Sequence, residues 1–106
     1  MIRSDEFFDY CHSAMTSINQ QKQLASKAFK SKDREGFVKA SLSSLELEKS
    51  IAIKHIEFLE DMIKNTPEHN FVLQDYEDAL NGVYNALADV NDKISDFIEA
   101  EKKYRK

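Results

Sequence analysis

Apolar residues recur along most of this 106-residue chain at spacings of three and four, the mark of helices that bury one face. In the first third they are Phe8, Cys11, Met15, Ile18, Ala25 and Phe29, flanked by Phe7, Ala14 and Ala28. Lys22 intrudes on that face, and Asn19 to Gln23 lay a polar belt across its middle. Ser4 is placed to cap this first helix, with Asp5 and Glu6 in the turn where the macrodipole favours acids. The run KSKDREGF breaks the pattern. Ser31 or Asp33 can then cap a second helix, and Gly36 near its start admits a close neighbour.

The second helix carries two apolar seams. Val38, Leu42, Leu45, Ala52, Ile56, Leu59 and Ile63 form one, with Lys49 intruding; Ala40, Leu47, Ile51, Phe58 and Met62 form the other. Together they bracket an arc of roughly 220°, wider than one partner helix needs. Ser41, Ser44, Glu48 and His55 lie inside that arc. Such a row is expected in the angle between two neighbours, with Glu48 in reach of Lys22. NTPEHN stops the helix, because Pro67 disfavours helical backbone at Thr66.

Asn70 is a cap for the third helix, whose pattern is the cleanest. Leu73, Tyr76, Leu80, Val83, Leu87, Val90, Ile94, Phe97 and Tyr104 alternate steps of three and four, interrupted by Glu101. A repeat of about 3.5 residues held over four heptads predicts knobs-into-holes packing. The flank Val72, Ala79, Ala86 and Ala100 is small enough to let a neighbour lie close. The pattern predicts an all-α fold in one domain, residues 1–106. Its architecture is an elongated up-down-up antiparallel three-helix bundle with coiled-coil-like packing, with helices at about 5–30, 33–64 and 70–104. A rod so slender has much surface for its volume, which favours association with another chain.

Composition agrees: two Gly, one Pro, no Trp and 32% charged residues. A net charge of −4 argues against a basic nucleic-acid binder. Between Glu68 and Glu101 nine acids face one cation, Lys93, whereas the closing KKYRK carries four positive charges that complement a helix C-terminus. Asp75, Asp89 and Asp96 share one heptad position, and Asp78, Asp92 and Glu99 another. Both point away from the apolar stripe, as a solvated face or as a strip for a basic partner. Cys11 is the single cysteine, so no internal disulfide forms and a reducing compartment is expected. The acids of MIRSDEFFDY are unlike a signal peptide, and no apolar run approaches a membrane span. The expectation is a cytoplasmic protein with no membrane or nucleic-acid partner.

Candidate chemistry is sparse. A carboxylate-bridged di-metal bundle needs Glu-x-x-His pairs, which the chain lacks; Asp9-x-x-His12 is the nearest echo. Glu48 and His55 are seven residues apart, about 10 Å along a helix. A phosphorelay bundle would show Lys and Gly after its histidine, whereas His12 precedes Ser13-Ala14-Met15 and His55 precedes Ile56-Glu57-Phe58. No phosphate loop, paired cysteines or nucleophile elbow is visible.

The expected function is therefore a non-enzymatic protein–protein interaction module, with no catalytic or metal-ligating residues, no cofactor and no small-molecule substrate. Its partner is another protein, a second copy, or both. The candidate contact residues are Leu47, Ile51, His55, Phe58 and Met62 on the second helix, with Tyr84 and Ile98 beside the stripe of the third. The alternative is a ligand-binding, metal-binding or phosphorelay bundle using His55 and Glu48, or His12. In size, acidity and long-helix architecture the chain resembles the small helical chaperones of flagellar and other secretion systems, a likeness of architecture carried by no motif.

Overall fold

The computed structural model describes residues 4–105; Met1 to Arg3 and Lys106, part of the basic tail, lie outside them. Three helices follow in order: α1 Ser4–Lys30, α2 Arg34–Lys64 and α3 Val72–Arg105. The fold is all-α, and the chain runs up, down and up. Phe7 near the start of α1 stacks on Phe58 near the end of α2, with ring centroids 4.7 Å apart. At the other end Arg34 of α2 reaches Glu101 of α3 at 2.7 Å.

The helix ends show which signals operate. Asp33 caps α2 by accepting the Gly36 N–H at 3.0 Å, while the Ser31 hydroxyl donates back to the Ala28 carbonyl. Asn70 accepts the Val72 N–H at 3.1 Å, so α3 starts two residues beyond it. Ser4 lies within α1, and Asp5 accepts the Glu6 N–H there. Between α1 and α2 the chain reverses in three residues. The Asp33 N–H bonds to the Ala28 carbonyl at 2.8 Å and the Lys32 N–H to the Phe29 carbonyl at 3.2 Å. This is a Schellman closure, and it places Lys32 at φ 60°, where glycine usually stands. Lys32→Gly relieves a left-handed conformation disfavoured for a side chain by about 1 kcal/mol. A thermal melt of that variant is expected to show Tm higher by roughly 4–8 °C.

Packing is less closed than three sequential helices permit. α1 lies on α2 and α2 on α3, but among the described residues no Cα of α1 comes within 8 Å of one in α3. The molecule measures 57 × 26 × 17 Å with a radius of gyration of 17.3 Å. A globular chain of this length would have about 13 Å. α2 is thus the spine, and Ala40, Ser44, Ala52, Ile56 and Leu59 are its buried residues.

The face of α1 that is covered differs from the sequence expectation. Phe7, Ala14, Ile18 and Ala28 are buried, whereas Phe8, Met15 and Phe29 are 65%, 49% and 71% exposed. The physical reason is that α1 has one neighbour, which covers one flank of its apolar stripe and leaves the other open. In α3 the stripe from Leu73 to Phe97 is half-buried throughout, and no described residue of that helix is fully buried.

Candidate functional site

The open side of α1 faces an open side of α3 across the polar row of α2. The two seams of α2 lie roughly 140° apart at 100° per residue, against about 60° for three mutually packed helices. Among the described residues no Cα of α1 lies within 8 Å of one of α3, so the two outer helices stand apart. The result is a groove with α2 as its floor. Its central cavity, about 450 Å³, is lined by Lys22, Ala25 and Ser26 of α1, by Phe37, Ser41, Ser44, Leu45 and Glu48 of α2, and by Lys93 and Phe97 of α3. A second cavity of about 500 Å³ continues towards the α1–α2 turn, among Phe29, Lys30, Lys32, Arg34, Phe37 and Tyr104.

Three seven-residue registers build this groove. Lys22 belongs to Phe8, Met15, Lys22 and Phe29; Glu48 to Arg34, Ser41, Glu48, His55 and Met62; Lys93 to Val72, Ala79, Ala86, Lys93 and Ala100. Residues seven apart drift only about 20° on a straight helix, so each set lines one side. The α1 wall is therefore bulky and apolar, the α3 wall is small, and the floor between them is polar. A Cβ added at Gly82, one step further round α3, would meet nothing within 4 Å. Phe37 stands between the two walls, 5.7 Å from Phe29 and 6.2 Å from Phe97 by ring centroids.

Charge lies at two levels of the groove, its middle and the end by the α1–α2 turn. Lys22 Nζ lies 3.8 Å from Glu48 Oε1, with side chains 61% and 32% exposed. Lys93 lines the same cavity and makes no ion pair among the described residues. Lys22 thus pairs with Glu48, while exposed Lys93 adds a second ammonium group to the same cavity. At the end of the groove, Arg34 donates to Glu101 and lies 3.2 Å over the Tyr104 ring.

The contact residues read from sequence fall in different places. His55 and Phe58 touch Phe7, at 5.1 and 4.7 Å between ring centroids, so both take part in the α1–α2 seam. Leu47, Ile51 and Met62 are half-buried. Tyr84 and Ile98 are exposed, on the flank of α3 opposite Lys93. His12 and Asp9 are exposed on α1, as are the six acids of the two α3 registers. Phe8, Met15, Phe29 and Lys93 carry the groove yet were not among the candidates; the exact sevenfold spacing through Lys22 is the signal that finds them.

Burial holds the His55 pKa below its ordinary value of 6.5 and raises that of the Cys11 thiol, which stays protonated at neutral pH. A histidine kept neutral by folding takes up its proton more readily when unfolded. His55 therefore favours the folded state above pH 6.5, and that contribution is lost as pH falls through 6.5 towards the lower folded pKa. Tm is expected to drop further between pH 7.5 and about 5.5 in the natural chain than in His55→Gln. Equal drops would place the titration elsewhere.

Among the described residues no group of three or more His, Cys, Asp or Glu is arranged to hold a metal ion, and no helix is long and apolar enough to cross a membrane. Comparison with protein-family models, with curated proteins and with solved structures gives no match.

Proposed function

We propose that this chain is a non-enzymatic interaction module, of the kind that serves as a small adaptor, chaperone or inhibitor, and that it receives an α-helix of another protein in the groove over α2. The observation that carries this reading is the open α1 wall, where Phe8, Met15 and Phe29 stay exposed on the side that faces α3. The dimensions suit the occupant. α1 and α3 stay more than 8 Å apart at every Cα among the described residues, which leaves the polar row of α2 between them as a bed for a helix. Half-buried Ser41 is small enough for that approach, and the exposed Ala79, Ala86 and Ala100 leave room at the far wall.

Surface area points the same way. The chain exposes 7658 Å², whereas a globular monomer of its mass exposes about 6,100 Å². The excess of roughly 1,500 Å² exceeds the about 800 Å² that a standard interface takes from each partner. Recognition of this type places an amphipathic helix, apolar side down, in a preformed trough.

The test compares the two flanks. Phe8→Ser, Met15→Ser and Phe29→Ser together alter exposed positions and are expected to shift stability by only about 0.5 kcal/mol per site. A partner recovered by crosslinking in native cells should lose affinity for this variant by at least about a hundredfold. It should keep its affinity for Tyr84→Ser with Ile98→Ser. The opposite ordering moves the interface to the other flank of α3 and rejects the groove.

A further inference from the structure

We infer that the helix received in the groove carries one carboxylate in the middle of its apolar face, set to meet Lys22 and Lys93. The inference rests on the groove reading above and specifies the partner's chemistry.

The groove is charged midway along its length and again at the α1–α2 turn, where Lys30, Lys32 and Arg34 stand and Arg34 is already paired with Glu101. Lys22, Glu48 and Lys93 border one cavity, and Lys22 reaches Glu48 at 3.8 Å. One heptad towards the helix N-termini the walls turn apolar, with Met15 on α1 and Ala86 on α3. An occupying helix covers this middle layer and strips water from two cations, of which only Lys22 has a carboxylate beside it. An uncompensated buried ammonium costs far more than an exposed one, so a purely apolar occupant is penalised there and a basic one more so. A glutamate or aspartate at that level balances the layer, with two carboxylates against two ammonium groups. The same pattern restricts register, because sliding the helix one heptad towards Met15 and Ala86 moves its acid between apolar walls.

A second copy of this chain is the poorer occupant by the same arithmetic. Closing two grooves face to face would put four lysines and two glutamates at one level. The acids of α3 do not correct this, since Asp89 and Asp96 lie one register further from the floor than Lys93 and are already solvated.

The probes are synthetic helices of about four heptads, with leucine along the apolar face and one central apolar position varied among Glu, Leu and Lys. Binding to the full chain is read by fluorescence anisotropy at peptide concentrations low enough to keep the probe monomeric. The Glu probe is expected to bind at least about tenfold more tightly than the Lys probe, with a preference that shrinks as salt is added. Lys22→Glu with Lys93→Glu should invert the order. Equal affinity for the Glu and Lys probes overturns this inference while leaving the groove as a helix site. Binding of no probe overturns both. A homodimer by sedimentation that Phe8→Ser, Met15→Ser and Phe29→Ser together dissociate assigns the groove to a second copy and overturns the inference as well.

Discussion

Ile18→Ala is expected to cost about 2–4 kcal/mol, a large loss for the truncation of one side chain. Ile18 is 1% exposed and is the only large side chain, among the described residues, below 2%. It sits midway along α1, between buried Ala14 and Ala28. Those alanines let the α1 and α2 backbones approach, so the isoleucine fills space that small neighbours cannot reoccupy by shifting. Among the described residues the backbone of α1 approaches only that of α2, so no second backbone seam lies close enough to absorb the cavity. A domain of this size is stable by about 5–15 kcal/mol in all, so the loss is a large share of the total. Urea titration followed by circular dichroism measures it as a fall in midpoint. Leu24→Ala, at a position 53% exposed, provides the comparison and should move the midpoint little. Equal costs at the two sites would contradict the packing described.

Arg34→Ala is expected to release the end of α3. Arg34 holds Glu101 through a 2.7 Å hydrogen bond and covers the Tyr104 ring at 3.2 Å, and the Glu101 side chain is only 13% exposed. A charge-assisted bond of this kind contributes about 1.5–3 kcal/mol, more than a solvated pair. The pair also ties the N-terminus of α2 to the C-terminus of α3, where Phe37 and Phe97 provide the adjoining apolar contact. Hydrogen exchange should accelerate by about tenfold to a hundredfold between residues 97 and 104, with Leu80 to Leu87 unchanged. Arg34→Lys should rescue little, because an ammonium neither forks onto the carboxylate nor stacks flat on the ring. Full rescue by lysine would reduce the contact to simple charge pairing.

The sequence reading of the helices rests on local signals that operate locally. Asp33 and Asn70 cap because their carboxylate and amide oxygens reach free amides within three residues, and no tertiary packing overrides them. The left-handed turn at Lys32 is invisible by comparison, since the residue that ordinarily marks it is absent. The two seams of α2 and the row between them are legible from spacing, as is the Lys22–Glu48 pair. Spacing does not say which seams the chain covers by itself. Phe58 and Met62 look like a free apolar edge in one dimension, yet Phe7 stacks on Phe58. Conversely Phe8, Met15 and Phe29 read as core, because periodicity reports an apolar face and not the number of neighbours packed on it. That number depends on the angle between the seams, which the individual residues express only jointly.

The separation of α1 from α3 also governs how the chain stores its stability. Among the described residues the close backbone approaches between helices all join neighbours in sequence, so the fold resembles a short linear array, in the manner of a repeat protein. The α1–α2 hairpin and the α2–α3 hairpin are coupled chiefly through the spine they share. Loop closures are correspondingly short, which favours fast folding. Damage to one outer helix reaches the other mainly through α2, so either one is able to peel away while the other hairpin holds its place.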